Sequence, residues 1–260
     1  MTATEPSDSF KPIIGTILFF TLIFLVNFTS RIIMAPLMPA MEQDLGFTHG
    51  QAGSLFMTLS VGYFFAVAGS GYLTARVGRR WTIVLSAWMV GLGLEAVSLA
   101  QSLWLLRAAL AFLGLGAGLY LASAIAAITD LTSPRNWGKA LAIHELAPNL
   151  SLLTAPLMAE FFLTFGSWRT APAVLGACSI AAGLFFLWRG LGGDEKGQGP
   201  SLALAGKLAL GRAFWIMMFL FSLGVGSTIG VFAMLHITVS LICSAPMFFL
   251  FLSYKKTFGP

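Results

Sequence analysis

Long apolar runs separated by short polar intervals set the rhythm of this chain. Residues 1–11 are polar, and 12–41 are then almost wholly apolar. A secretory signal has an apolar stretch of about 7–15 residues ahead of a small-residue cleavage site. This run is longer and carries no such site, so it reads as a first spanning helix that stays in the protein. Crossing a bilayer as a helix takes about 20 apolar residues. On that rule the pattern predicts spans over 12–40, 51–74, 81–100, 102–128, 139–163, 170–190, 210–235 and 237–253. A β-barrel is excluded, because its strands alternate in polarity over about ten residues and do not form long continuous apolar runs.

Composition points the same way. Hydrophobic residues make up 57% of the chain and charged residues 10%, with a mean hydropathy of +0.86. Soluble domains carry about 25% charged residues, so the outer solvent of this chain is lipid. The net charge of +5 and the pI near 9.5 could point to nucleic acid. The basic residues sit in short loops between apolar runs, however, and not along one stripe or helix face. Cys178 and Cys243 each lie within an apolar run, which argues against a disulfide framework. No metal-ligand spacing is present, and no cofactor is implied.

The loop charges orient the chain. With the N-terminus inside, twelve basic residues fall in cytoplasmic segments: Lys11, Arg76, Arg79, Arg80, Arg135, Lys139, Arg189, Lys196, Lys207, Arg212, Lys255 and Lys256. Outer loops hold only Arg169, and Arg31 and Arg107 lie inside spans. The positive-inside rule thus predicts a multi-pass protein with a cytoplasmic N-terminus, and the expected location is a plasma membrane of bacterial type (a cell inner membrane). Lys255 and Lys256 favour an even number of spans. The polar, glycine-rich stretch after the sixth span reads as a linker. The expected organisation is a six-helix bundle over 1–190, a cytoplasmic linker over 191–209, and an incomplete second part over 210–260.

Between spans 2 and 3 the chain reads Gly71-Tyr-Leu-Thr-Ala-Arg-Val-Gly-Arg-Arg80. Small residues suit a tight turn and close helix approach, and the arginines suit the inner surface and helix C-termini. This segment resembles the loop pattern G-x-L-a-D-R-x-G-R-R of the major facilitator superfamily. Gly71, Leu73, Arg76, Gly78, Arg79 and Arg80 match at the family's spacing. Ala75 stands where the family has an Asp that helps latch its two halves, so the resemblance does not extend to that latch. An ordinary basic loop explains the arginines alone and leaves the glycine spacing unaccounted for. Gly114-Leu-Gly-Ala-Gly118 after Arg107 is similar to the family's R-x-x-x-G-x-G pattern, with the Arg three residues early. A small-residue packing face explains those glycines equally well.

In span 1, Asn27-Phe-Thr-Ser-Arg31 resembles the N-Y-x-D-R pattern of organic-anion transporters in the superfamily, with Ser30 in place of the acid. Asn27 and Arg31, four apart, are expected on one helix face. An Arg at bilayer depth costs about 2.5–3.5 kcal/mol on insertion scales. It therefore faces a partner or a wet cavity, and its planar fork suits a carboxylate or phosphate. The alternatives are a structural ion pair or snorkelling to the surface. Glu95 and Arg107, at similar depth, are expected to form a structural pair. His144, Glu145 and Glu160 are the candidates for a coupling proton, against the alternative of helix packing or interfacial solvation.

Enzyme readings fare poorly. His144-Glu-Leu-Ala-Pro148 begins like the zinc-protease signature but has Pro148 where the second His belongs. Ala68-Gly-Ser-Gly71 approaches an intramembrane-protease G-x-S-G but lacks the first Gly. The resemblance implies an all-α polytopic bundle that moves a small solute by alternating access between two six-helix halves. The expected activity is secondary transport, of an organic anion by a symporter in the sharpest form of the reading. Its partners are the lipid bilayer, the solute, and a second copy or a missing C-terminal half. Residues 236–260 carry no recognisable loop motif, which leaves open a natural fragment, a frameshifted product or a self-associating half-transporter. The rival from another class is a non-transporting assembly or regulatory subunit.

Overall fold

The computed structural model describes residues 10–189, 206, 210–216, 218–220 and 223. By Cα proximity the chain divides into a unit over 1–199 and a second over 200–260. The described part of the second unit consists of helical turns, with Phe214 and Trp215 in an edge-to-face pair at 5.6 Å. Most of the expected seventh span, all of the eighth, and the linker apart from 206 lie outside the described residues.

In the first unit, six helical segments are long and apolar enough to cross a bilayer. At about 1.5 Å per residue, 20 helical residues cover a hydrocarbon core of about 30 Å. The first segment comprises α1 (Ile14–Ile32) and α2 (Met34–Leu45), the second α3 (His49–Val77), and the third α4 (Arg79–Ser98). The fourth comprises α5 (Leu103–Gly118) and α6 (Tyr120–Leu131), the fifth α7 (Trp137–His144) and α8 (Leu146–Phe165), and the sixth α9 (Thr170–Arg189). The chain is an integral, multi-pass membrane protein of all-α architecture.

The breaks within spans have local causes. Pro36 cannot donate a bond to the Ile32 carbonyl, and its ring crowds that turn, so the first span is interrupted at Ile33. Pro148 acts in the same way on the His144 carbonyl and breaks the fifth span at Glu145. The fourth breaks at Leu119, just after Gly114, Gly116 and Gly118. The first helix runs to Leu45, five residues past the end predicted from hydropathy. It stops at Gly46, whose φ of 68° is the left-handed cap that glycine adopts freely. Thr48 and Gln51 form a reciprocal capping box that starts α3.

Helix α4 lies between α5 and α9; α3 packs on α5, and α1 on α8. The core forms two apolar layers. One includes Leu37, Met41, Leu55, Leu94, Leu106 and Trp168, toward the 46–48 and 99–102 turns. The other includes Ile17, Phe20, Ile83, Tyr120, Ile128 and Phe186, toward the 78 and 132–133 turns. Alanine and glycine let the helices close up. A Cβ at Gly114 would overlap the Leu59 carbonyl oxygen, and one at Gly62 would overlap that of Ala111. The glycines of span 4 are thus a packing face: Gly114 and Gly118 meet α3, and Gly116 meets α4.

Candidate functional site

Lipid cannot satisfy a polar side chain, so buried polar groups in this bundle reach across to other helices. Asn27 of α1 is buried, and its Nδ2 donates to Ser86 Oγ of α4 and to the Ala117 carbonyl of α5, both at 3.4 Å. Ser86 Oγ donates to the Gly116 carbonyl at 2.7 Å. Thr29 Oγ1 donates to Ser151 Oγ of α8 at 3.0 Å. These contacts form a polar seam from α1 to α4, α5 and α8. Asn27 Oδ1 has no hydrogen-bond partner among the described residues.

One turn beyond Asn27, Arg31 is half-buried with its guanidinium close to two aromatic rings. Its Cζ stands 4.6 Å from the Phe28 ring centroid and 4.5 Å from that of Tyr63 on α3. Ring quadrupoles attract a cation at such distances. The buried Nε has no hydrogen-bond partner, and no carboxylate pairs with Arg31 among the described residues. The expectation that Asn27 and Arg31 point the same way holds only loosely. Asn27 turns into the bundle toward α4 and α5, and Arg31 turns toward α3.

A second polar group sits at the break of the fifth span. His144 is fully buried and stacked on Phe24, with centroids 4.6 Å apart. Its Nε2 lies 3.3 Å from the Tyr120 hydroxyl, and its Nδ1 lies 3.3 Å from Glu145 Oε1. Tyr120 donates its only proton to the Phe20 carbonyl at 2.6 Å, so it can only accept from His144. Nε2 must therefore carry a hydrogen. Nδ1 then bonds an ionised Glu145 only when it too is protonated, or accepts from a protonated Glu145. Either way, the pair is fully bonded only when it holds one extra proton. Glu145, 53% exposed, connects the pair to the surroundings. Glu160 is exposed, 15 residues further along α8, or about 22 Å at 1.5 Å per residue. It does not join them.

The structure does not bring Glu95 and Arg107 together, contrary to expectation. Glu95 on α4 lies over Gly176 of α9, whereas Arg107 on α5 donates from Nη2 to Ser54 Oγ of α3 at 3.0 Å. Similar depth gave no information about azimuth, and the two residues leave opposite sides of the α4–α5 pair.

The basic loop is built as a clasp. Gly71 and Leu73 lie in the last turns of α3, with Arg76 exposed on the same stretch. Gly78 takes φ 87° and links α3 directly to α4. Arg79 forms an ion pair with Asp130 at the end of α6, and Arg80 donates to the Leu187 carbonyl near the end of α9. Asp130 escaped the sequence reading because it falls two residues past the predicted span. At the other end, Arg169 donates to the Ser98 and Ala100 carbonyls and to Asp44, which also accepts from Trp168 Nε1. Arg169 stood out in the sequence as the one basic residue of the outer loops; Asp44 carried no signal.

The profile of the Major Facilitator Superfamily matches residues 20–258. The chain belongs to that superfamily. Solved superfamily-type transporters share the fold. A bacterial homologue of the human lysosomal transporter Spinster, inward-facing and unoccupied, superposes with a TM-score of 0.65 at 18% identity, covering 74% of this chain and 46% of that one. The peptide transporter POT in complex with sulfate gives 0.65 at 18% identity, covering 97% and 55%. A POT family transporter in complex with 5-aminolevulinic acid gives 0.62 at 18% identity, covering 86% and 49%. The chain thus spans about half the length of these transporters. No curated protein sequence matches it.

Proposed function

We propose that this superfamily bundle forms one wall of a secondary transporter for a small anionic solute, and that Arg31 is the side chain that recognises the anion. The observation that carries the reading is the Arg31 clamp. A guanidinium in the first span lies within 4.6 Å of the Phe28 and Tyr63 ring centroids and has no carboxylate beside it among the described residues. Its in-plane N–H groups favour a bidentate carboxylate or phosphate. Two POT structures that share the fold hold sulfate and 5-aminolevulinic acid, both with anionic groups. In this proposal the bundle supplies one side of the solute path, and rocking of a facing bundle against it opens the path to either side. The His144–Glu145 pair carries the coupling proton, which makes the protein a symporter. The loop matched at Gly71, Leu73, Arg76, Gly78, Arg79 and Arg80 holds the cytoplasmic ends of the bundle in register, with the N-terminus on the same side in a plasma membrane of bacterial type.

Purified chain in proteoliposomes, with a pH gradient and a panel of labelled small organic acids, tests this reading. Saturable uptake by wild type that falls at least tenfold in Arg31→Lys supports it, since Lys keeps the charge and loses the fork. Unchanged uptake in Arg31→Ala removes Arg31 from recognition. Absence of uptake together with absence of acid binding removes the transport reading for this chain.

A further inference from the structure

On the outer surface of the α3–α5 pair is a groove that the transport reading does not use. It has a volume of about 540 Å³. Both helices run in the same direction along it, since Gly114 approaches Leu59 and Gly118 approaches Tyr63. Ser54 and Arg107 stand at the end nearer the helix N-termini, and Val61, Phe65 and Leu115 line the rest. From Ser54 to Phe65 is 11 residues, about 16 Å at 1.5 Å per residue. Half of a hydrocarbon core of about 30 Å is about 15 Å. The groove therefore has the length of one leaflet, with a cationic, hydroxyl-bearing end and an apolar remainder.

The polar end is set for a phosphate. Arg107 makes one hydrogen bond, from Nη2 to Ser54 Oγ. Its guanidinium lies 4.8 Å from the Trp104 ring centroid, and no carboxylate pairs with it among the described residues. Trp104 is 76% exposed one turn nearer the helix start, the level at which membrane tryptophans meet headgroups. Below this, Gly62 leaves the floor bare where its Cβ would strike Ala111.

We infer that the α3–α5 groove is a binding site for one anionic glycerophospholipid, with its phosphate on Arg107 and Ser54 and an acyl chain along Val61, Leu115 and Phe65. A neutral amphiphile would fill the apolar part but leave the cation uncompensated. A protein helix lying along the groove would have to supply a carboxylate or phosphate at one level only. A lipid of negative charge meets both ends without further fitting.

Trp104 makes the site readable in the intact chain. Wild type and Trp104→Phe are reconstituted in phosphatidylcholine vesicles that contain increasing fractions of either phosphatidylglycerol or phosphatidylcholine brominated near the headgroup end of the acyl chain. The difference between the two proteins gives the quenching of Trp104 alone. The expected result is half-maximal quenching at a roughly fivefold lower fraction of brominated phosphatidylglycerol than of brominated phosphatidylcholine, the preference that one interfacial basic residue confers. Arg107→Gln should abolish the preference, and Arg107→Lys should keep part of it. Equal thresholds for the two lipids in wild type overturn the inference without recourse to any variant. So does a preference that survives in folded Arg107→Gln, or the absence of quenching by either lipid, which would mean that protein covers the groove.

Discussion

Replacing Gly114 by alanine should loosen the bundle at its tightest seam. A methyl there would overlap the Leu59 carbonyl oxygen and stand 3.0 Å from Tyr63 N and 3.1 Å from Leu59 C. All three neighbours are backbone atoms, so no side chain can rotate away; α3 and α5 must separate by a few tenths of an ångström or more. Overpacking of this kind costs about 1–3 kcal/mol. Alanine's helical advantage over glycine returns about 0.5–1 kcal/mol, which leaves a net loss of up to about 2.5 kcal/mol. Gly69 on α3 provides the control, because a Cβ there meets nothing within 4 Å. Gly69→Ala should therefore stabilise by about 0.5–1 kcal/mol through propensity alone. Reversible unfolding in mixed detergent and dodecyl sulfate micelles, followed by far-UV circular dichroism, measures both variants on one scale. A Gly114→Ala protein as stable as Gly69→Ala would refute the α3–α5 packing and, with it, the floor of the proposed lipid groove.

Three further outcomes follow from the geometry. In a double-mutant cycle, Arg79→Gln and Asp130→Asn should show a coupling of about 0.5–1 kcal/mol in the same unfolding assay, kept small because Asp130 is 43% exposed to solvent; independent effects would remove the clasp. His144→Phe keeps the stack on Phe24 but removes both ring nitrogens, so uptake driven by a proton gradient should be lost while acid binding at fixed pH is kept. Proton-driven uptake that persists in the variant would take His144 out of coupling. Single cysteines at His49, whose side chain is 96% exposed, and at the exposed Arg76 report topology in a cysteine-free background. An impermeant thiol reagent should label position 49 in intact cells and spare 76, and the opposite pattern reverses the orientation.

Much of the fold was legible in the sequence, because lipid imposes one demand on every span. Apolar length alone placed the six helices within a few residues. Hydropathy does not register a missing N–H, and so Pro36 and Pro148 interrupt spans that read as continuous. The loop 71–80 was recognisable because glycine at position 78 serves backbone geometry, and Gly78 indeed takes a positive φ. The site was less legible. Periodicity put Asn27 and Arg31 on one face, yet a single turn carries one into the α4–α5 contact and the other to Tyr63. Tyr63 and Tyr120 gave no signal at all, since an aromatic residue in an apolar run looks like core. Their roles depend on which helices become neighbours, and local pattern does not encode that.

The account depends most on Arg31 meeting an anion inside the membrane. Isothermal titration of small carboxylic and phosphonic acids into the purified chain, wild type beside Arg31→Ala and Arg31→Lys, measures that encounter without requiring transport. The account predicts saturable binding of at least one acid to wild type, more than tenfold weaker binding to Arg31→Lys, and none to Arg31→Ala. Equal affinity in wild type and folded Arg31→Ala would contradict it.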